Sequence, residues 1–446
     1  MLKLFNTTPP LLCPLPRETV SQCHPEAVAE GSAFCTKLES LDSSPAAQND
    51  IGVILVLRHS LRVRGRGNGE GESPRATAFH SLYEIQRPWV SCFAALFFLL
   101  VATSVWSGQA EDALNEALKL HEAGKPKEAI REYDRAIKAN PKLAEAYFNR
   151  GNAYYDLGEN QQAVKDYSQV IRLNPKDAET FYNRGNAYRR LKKDDLALKD
   201  YTAAIRLSPD DARNYVNRGS IYFDAGHYDS AVKDYSEAIR INPKDADSYY
   251  NRGNSMLALE KKEEAIQDFN EAISLDSKLA DAYYNRGIAY ADLGDQEKAI
   301  EDFGKTIDLQ PKNANAYYNR GLADAKVGKP EAAIEDYSEA IRLNPKDAEA
   351  PFNRGLAYLR LERYDYAARD FSETIRLQPR NADPYVYRGI IRVYQGKDKE
   401  AESDFQKAYQ LNPALKKKIQ PLVDAAKAKA KGAAVGPDTG AQRGPR

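Results

Sequence analysis

Asparagine, arginine and aspartate recur along this chain at a fixed interval, and their polar side chains are the groups best able to do chemistry here. The triplet Asn-Arg-Gly begins at seven positions that are 34 residues apart, the first at Asn149 and the last at Asn353. An asparagine amide can both donate to and accept from one peptide unit. An arginine can hold a carboxylate through two parallel hydrogen bonds. The recurrence indicates repeated binding or structural contacts and does not indicate a single reactive centre.

Residues typical of catalytic or metal sites do not cluster in the recurring region. His121 and His227 are far apart in the sequence, and no HExxH, nucleophile-elbow or phosphate-loop sequence is present. The four cysteines all lie before the recurring region, at Cys13, Cys23, Cys35 and Cys92. We therefore expect a protein that is not an enzyme, with no catalytic residue, metal site or cofactor. A hydrolase of the cell envelope is a remote alternative.

Length and charge narrow the class of protein further. A chain of 446 residues is too long for one ordinary core, so division or repetition is expected. Lys plus Arg and Asp plus Glu both number 64, so the chain is formally neutral. Neutrality argues against a general nucleic-acid or anionic-membrane binder. The expected partner is a protein or an extended peptide, and no nucleic acid.

The first 110 residues differ from the rest. Residues 1–88 are rich in proline at the beginning and in glycine near residue 70, which predicts a disordered or untranslated extension. Trp89 to Trp106 contains no charged residue, follows Arg87 and precedes small residues up to Ala110. Residues 89–110 are therefore predicted to be a signal peptide or an uncleaved membrane anchor. A buried core helix is a poorer interpretation, because the stretch has no polar face.

Both interpretations place the rest of the chain outside the cytoplasm. Arginines precede the apolar stretch and Glu111 and Asp112 follow it, as the positive-inside rule requires. The expected location is exported, either periplasmic or anchored outside the cytoplasm, with membrane contact only through residues 89–106 if they are uncleaved. Because signal peptides lie at the N-terminus, we hypothesise a functional start shortly before Trp89, for example at Leu82.

The recurring region divides into nine units of 34 residues. Each unit begins with alanine, at Ala110, Ala144, Ala178, Ala212, Ala246, Ala280, Ala314, Ala348 and Ala382. Apolar and small residues follow two helical stripes in each unit, separated by a short break. The pattern resembles the tetratricopeptide repeat on residues that in the second unit are Tyr147, Gly151, Tyr154, Ala163, Tyr167 and Pro175.

This resemblance implies an all-α, right-handed α-solenoid superhelix of nine helix-turn-helix repeats with a C-terminal capping helix. The solenoid is predicted over residues 111–415 and the cap over 416–431, where Ile419, Leu422 and Val423 can cover the last repeat. Pro421 argues against one uninterrupted helix in the cap. The lysines of this stretch are either solvated or able to bind an anionic surface. Residues 432–446 are predicted to be a disordered tail.

Units two to nine carry arginine at the seventh position and aspartate at the twenty-third. The pairs are Arg150/Asp166, Arg184/Asp200, Arg218/Asp234, Arg252/Asp268, Arg286/Asp302, Arg320/Asp336, Arg354/Asp370 and Arg388/Asp404. Because these positions lie on facing helices, we predict a ladder of structural ion pairs. The alternative is that the arginines bind a ligand.

The resemblance also implies that the first helix of each unit lines a concave groove. The predicted peptide-binding residues are the sixth-position Asn149, Asn183, Asn217, Asn251, Asn285, Asn319 and Asn353, with the fifth-position Tyr250, Tyr284 and Tyr318. Surface polarity and packing between repeats are the competing explanations for these residues. The ninth position changes from mostly Asn in the first units to Ile or Leu in the last units. The second half of the groove should therefore be more apolar than the first half.

The sequence thus predicts an exported scaffold that binds a polypeptide in a concave groove. Acidic residues at the second position, such as Glu145 and Asp281, argue against recognition of an acidic C-terminal tail. The first alternative is a structural or assembly factor of the cell envelope that acts through its convex face or through self-association.

Overall fold

A computed structural model describes residues 108–434, and the side chains of that range up to residue 428. These residues form 19 helices and no strand. The predictions for residues 1–107 and for the tail beyond residue 434 lie outside the described residues. Within the described residues, no helix combines the length and the apolar character that crossing a membrane would require.

The helices follow one another as hairpins. They are α1 (108–122), α2 (Pro126–Ala139), α3 (Ala144–Asp156), α4 (Asn160–Leu173), α5 (Ala178–Arg190), α6 (Asp194–Leu207), α7 (Ala212–Asp224), α8 (Tyr228–Ile241), α9 (Ala246–Ala258), α10 (Lys262–Leu275), α11 (Ala280–Leu293), α12 (Gln296–Leu309), α13 (Ala314–Lys326), α14 (Pro330–Leu343), α15 (Glu349–Arg360), α16 (Tyr364–Leu377), α17 (Asp383–Tyr394), α18 (Asp398–Leu411) and α19 (Leu415–Ala434). Odd-numbered helices up to α17 are the first helices of the nine units, and even-numbered helices are the second.

Each helix packs against its neighbours in the sequence, so the array is an all-α solenoid of helix-turn-helix repeats. Several successive first helices, such as α9 and α11, also contact one another directly. Successive second helices in the described residues do so at most marginally. The first helices therefore lie on the more crowded side of the array, which is the side expected to be concave.

The eighth-position glycine lets the two helices of a unit approach closely. A Cβ atom on Gly151 would lie 2.7 Å from the ring of Tyr167, and one on Gly185 would lie 2.8 Å from the ring of Tyr201. Both rings are buried, as are the neighbouring Ala163 and Ala197. A larger residue at these glycines would push a buried aromatic ring out of place.

The capping helix α19 runs through Pro421 without a break, so the predicted interruption at this residue is wrong. Leu415, Ile419 and Val423 are buried, and α19 packs against α17 and α18. Pro421 itself is exposed, so solvent can satisfy the carbonyl group that loses its helical partner. Burial of the apolar stripe outweighs that lost bond. The helix also continues past the predicted end of the cap at residue 431, to Ala434.

Candidate binding groove

The predicted ladder of ion pairs is present in all eight units. In each pair the arginine Nε and Nη2 donate to the two carboxylate oxygens of the aspartate over 2.6–2.9 Å. The aspartates are buried, and most of the arginines lie over the aromatic ring at the fourth position of the same unit. The arginines are therefore occupied within the repeats, which favours the structural interpretation.

The remaining arginine nitrogen connects successive units. Nη1 of Arg184 donates to the Ser168 hydroxyl over 3.0 Å, and Nη1 of Arg218 donates to the Thr202 hydroxyl over 3.1 Å. The same contact joins Arg252 to Ser236, Arg286 to Asn270, Arg354 to Ser338 and Arg388 to Ser372. These six ion pairs thus bridge the two helices of their own unit and the second helix of the unit before it.

Burial disfavours the charged forms of these side chains, whereas pairing with the opposite charge favours them. Burial raises the pKa of the Asp166 and Asp302 carboxyl groups, although hydrogen bonds from Arg150 and Arg286 oppose the shift. The hydrogen bond from Arg218 to Asp234 is the largest cause of the raised pKa of that arginine. Desolvation therefore offsets much of the attraction, but loss of one partner would leave a buried charge uncompensated.

Arg320 lacks the connection between units, because the residue at the corresponding position is Gly304. A Cβ atom on Gly304 would lie 3.6 Å from Nη1 of Arg320, so a small side chain fits there. We predict that Gly304→Ser raises the free energy of unfolding by about 1–2 kcal/mol, through a lower backbone entropy and one new hydrogen bond. Urea unfolding of Gly304→Ala supplies the control. Equal stability of the serine and alanine variants would show that the hydrogen bond contributes nothing.

Most of the sixth-position asparagine side chains donate a hydrogen bond to the preceding unit. Nδ2 of Asn217 donates to Oδ1 of Asn186 over 3.0 Å, and Nδ2 of Asn285 donates to Oδ1 of Asn254 over 2.7 Å. Asn183 makes a longer contact of 3.5 Å with Asn152. In the second unit, Asn149 instead donates to the carbonyl of Glu145 in its own helix.

The acceptor changes where the ninth position becomes apolar. Asn319 donates to the Tyr284 hydroxyl over 2.8 Å, and Asn353 donates to the Tyr318 hydroxyl over 3.0 Å. Asn285 uses both kinds of acceptor, because it also lies 3.3 Å from the Tyr250 hydroxyl. The tyrosine hydroxyl thus replaces the ninth-position asparagine as the hydrogen-bond acceptor. As a result, Ile288 and Leu322 can occupy the ninth position without leaving the next amide unpaired.

The fifth-position rings also pack inside their own units. Tyr250 lies 6.1 Å from the ring of Phe269, and Tyr284 lies 5.8 Å from the ring of Phe303, both measured between centroids. Burial raises the pKa of Tyr250 to about 12. Three predicted groove residues, Tyr250, Tyr284 and Tyr318, therefore hold units together through their rings and hydroxyls.

Asn251 differs from the other six asparagines. Within the described residues its side-chain amide makes no hydrogen bond, while the other six donate to a neighbour. The cause lies one unit earlier, where the fifth residue is Val216 and the ninth is Ser220. Valine has no hydroxyl, and the Ser220 hydroxyl accepts from Arg189 over 2.7 Å. Of the predicted asparagines, Asn251 thus has a side-chain amide available to a ligand.

The rim of this face carries mostly acidic residues at the second position. Glu145, Asp247, Asp281 and Asp383 are exposed. Asn315 is neutral and Arg213 is basic. Arg213 is held by Glu179 and Asp211, and it lies 4.6 Å from the centre of the Tyr182 ring. The net character of the rim is therefore acidic, with its one basic residue already paired.

The two histidines of the repeats are not brought together. Nε2 of His121 lies 2.9 Å from Asp156, and His227 contacts the ring of Tyr222. Among the described residues, no group of three or more His, Cys, Asp and Glu side chains is arranged to hold a metal ion.

Comparison with known families decides the identity of the repeats. Profiles described as TPR repeat match residues 117–158, 151–192, 219–259, 257–294 and 324–362. Profiles described as tetratricopeptide repeat match residues 178–211, 280–313 and 352–415. The chain belongs to the tetratricopeptide repeat family. Tetratricopeptide proteins commonly bind proteins or peptides and typically act as scaffolds, which supports a protein partner for this array.

Three solved structures are similar to parts of this chain. YrrB, described as a TPR protein with an unusual peptide-binding site, is 25% identical over 42% of this chain and 96% of its own, with a TM-score of 0.39. MamA is 28% identical over 37% of this chain and 96% of its own, with a TM-score of 0.36. The C-terminal part of a TPR repeat-containing protein from Cytophaga hutchinsonii is 19% identical over 54% of this chain and 98% of its own, with a TM-score of 0.48. No curated protein matches the chain.

Two features of the groove were missed by sequence reasoning. The hydrogen bonds from the arginines to the preceding unit were not predicted, although small polar residues recur at the positions of Ser168, Thr202 and Ser236. The exception at Val216 was not recognised either. Its signal is the absence of a ring at the fifth position, where units two to eight otherwise carry Phe or Tyr.

Proposed function

We propose that this tetratricopeptide protein is an exported scaffold that binds an extended polypeptide along the face formed by its first helices, called here the groove face. The observation that carries the proposal is the sequence of groups along that face. Exposed carboxylates, one unpaired amide and half-buried aliphatic side chains follow one another from unit to unit. An extended chain lying across successive first helices could contact each of these groups in turn.

The charges and apolar groups define the kind of polypeptide. Asp247 and Asp281 at the rim favour a segment with lysine or arginine, because opposite charges steer association and fix register. Ile288, Leu322 and Leu356 are only partly buried, so they can receive apolar anchor residues in the second half of the groove. We therefore expect a basic segment that also carries aliphatic or aromatic residues.

Export of the protein is a separate part of the proposal. Its support is the order of basic, apolar and small residues around Trp89 to Trp106. Fractionation of cells that make the protein, followed by mass measurement of the purified chain, distinguishes a cleaved signal peptide from an anchor. A full-length chain in the cytoplasmic fraction would contradict both.

A structural or assembly factor is the second candidate function. Its support is a row of exposed leucines near the ends of second helices, at Leu207, Leu275 and Leu309. They recur with the repeat, so they could serve a contact through the outer face or with another copy of the array.

Paired charge reversals distinguish the two candidates. Random short peptides would first be selected by display on the full chain, and their affinities then measured by fluorescence anisotropy. We expect Asp247→Lys combined with Asp281→Lys to weaken the selected peptides by about tenfold or more. The matched control, Glu271→Lys combined with Glu301→Lys, reverses two exposed carboxylates on second helices and should leave affinity nearly unchanged. Loss of binding only in the control would favour the outer face.

A further inference from the structure

Among units two to eight, the fourth unit differs from the others at the fifth position, where it carries Val216 and not an aromatic residue. The other six of these units carry an aromatic ring at the fifth position, at Phe148, Tyr182, Tyr250, Tyr284, Tyr318 and Phe352. Each of these rings packs against the aromatic ring on the second helix of its unit, with centroids 5.6–6.2 Å apart. Val216 is half-buried and offers two methyl groups in place of a ring.

Val216 also lacks the hydroxyl group that the next three units use as a hydrogen-bond acceptor. The fifth-position hydroxyl accepts from the asparagine 35 residues later in three successive units, at 3.3 Å for Tyr250–Asn285, 2.8 Å for Tyr284–Asn319 and 3.0 Å for Tyr318–Asn353. By the same spacing, Val216 corresponds to Asn251. The Asn251 amide, which is half-buried, has no hydrogen-bond partner among the described residues. The fourth unit therefore lacks the tyrosine ring and hydroxyl at Val216. The Asn251 amide, which such a hydroxyl would accept from, is nevertheless present.

We propose that Val216 and Asn251 form a subsite for a tyrosine side chain of the bound polypeptide. The ligand ring would lie over Val216, in the place that a tyrosine of the array takes in the next three units, and its hydroxyl would accept from Nδ2 of Asn251. The inference deepens the proposed function and rests on it, since the tyrosine is presented by a segment in the groove.

The residues around the subsite are consistent with this ligand. Ser220 lies one turn beyond Val216 and is engaged by Arg189, which also bonds to Asp224 over 3.0 Å. The Ser220 hydroxyl oxygen and the Arg189 guanidinium are therefore engaged with each other. Arg213, at the second position of its unit, lies over the ring of Tyr182 at the fifth position of the unit before. Asp247 stands in the same relation to Val216, so we expect its carboxylate at the rim of the subsite. A basic residue beside the tyrosine would suit that carboxylate.

The decisive variant is Val216→Tyr, which supplies from the array the side chain that the ligand would bring. Peptides selected by display on the full chain should share a tyrosine, and Val216→Tyr should weaken them by about tenfold or more. Val232→Tyr is the matched control, because it makes the same substitution at a half-buried valine on the second helix of the same unit and should change affinity by less than about twofold. Circular dichroism and thermal unfolding show whether Val216→Tyr is folded.

A second measurement decides the matter even if Val216→Tyr does not fold. Replacing the peptide tyrosine by phenylalanine should weaken binding to the native chain by about threefold to tenfold, the effect of one hydrogen bond. That difference should disappear in Asn251→Ala. Peptides that bind without a tyrosine preference, or that bind Val216→Tyr equally well, would overturn the subsite and leave the proposed function standing. Failure to select any peptide would overturn both.

Discussion

Arg218→Leu should lower the free energy of unfolding by about 3–5 kcal/mol, because it leaves the buried Asp234 carboxylate without its partner. In the native pair the two side chains are 17% and 7% exposed, and Nη2 of the arginine lies 2.7 Å from the carboxylate. The substitution also removes the contact with Thr202 that joins this unit to the one before it. Urea unfolding followed by circular dichroism measures the change.

Two controls separate the ion pair from a general effect of losing arginine. Arg240 pairs with Glu237 on the surface, where the side chains are 60% and 47% exposed, so Arg240→Leu should change stability little. Replacing Arg218 and Asp234 together by leucine should restore much of the lost stability, since no buried charge then remains. If Arg218→Leu were as stable as the native chain, the ladder would not contribute to the fold.

Asn214→Ala should raise the free energy of unfolding by about 1–3 kcal/mol, because it removes a buried amide that has no partner. Asn214 is fully buried, and neither its Oδ1 nor its Nδ2 makes a hydrogen bond. Other units carry a buried alanine at this position, at Ala146, Ala282, Ala316 and Ala350. A methyl group therefore fits the surroundings that the repeat provides.

The corresponding residues of the neighbouring units provide the control. Thr180 donates to Asp177 over 2.6 Å, and Ser248 donates to Asp245. In the unit of Asn214 the equivalent carboxylate, Asp211, is engaged by Arg213 instead. Thr180→Ala and Ser248→Ala should therefore be neutral or destabilising. A loss of stability in Asn214→Ala would show that the amide is satisfied, for example by an ordered water molecule.

The repeated contacts could be predicted from the sequence because every unit carries the same residues at the same positions. The arginine and aspartate of each unit lie on facing helices, so the pairing of Arg184 with Asp200 implies that of Arg252 with Asp268. The helix boundaries followed similarly from alanine at the beginning of a unit and proline near its end. In a solenoid, contacts within one unit and with its neighbours largely determine the structure.

Contacts between units were harder to predict, because they depend on how far one unit is rotated against the next. The sixth-position asparagines were correctly placed on the first helices, but most of their amides bond to the preceding unit. The helical spacing alone does not say whether a tyrosine such as Tyr284 reaches Asn319. Pro421 was misjudged for a related reason, since packing of Ile419 and Val423 on the last unit overrides a local preference.

The most direct test of the central claim is to determine which face of the array contacts its partner in cells that make the protein. A photo-reactive amino acid would be placed on the groove face, at Asn254 or Leu322, and on second helices, at Glu271 or Lys305. We predict cross-links to another polypeptide from Asn254 and Leu322 and none from the two outer positions. Cross-links only from Glu271 or Lys305 would contradict the account and indicate a scaffold that acts through its outer face.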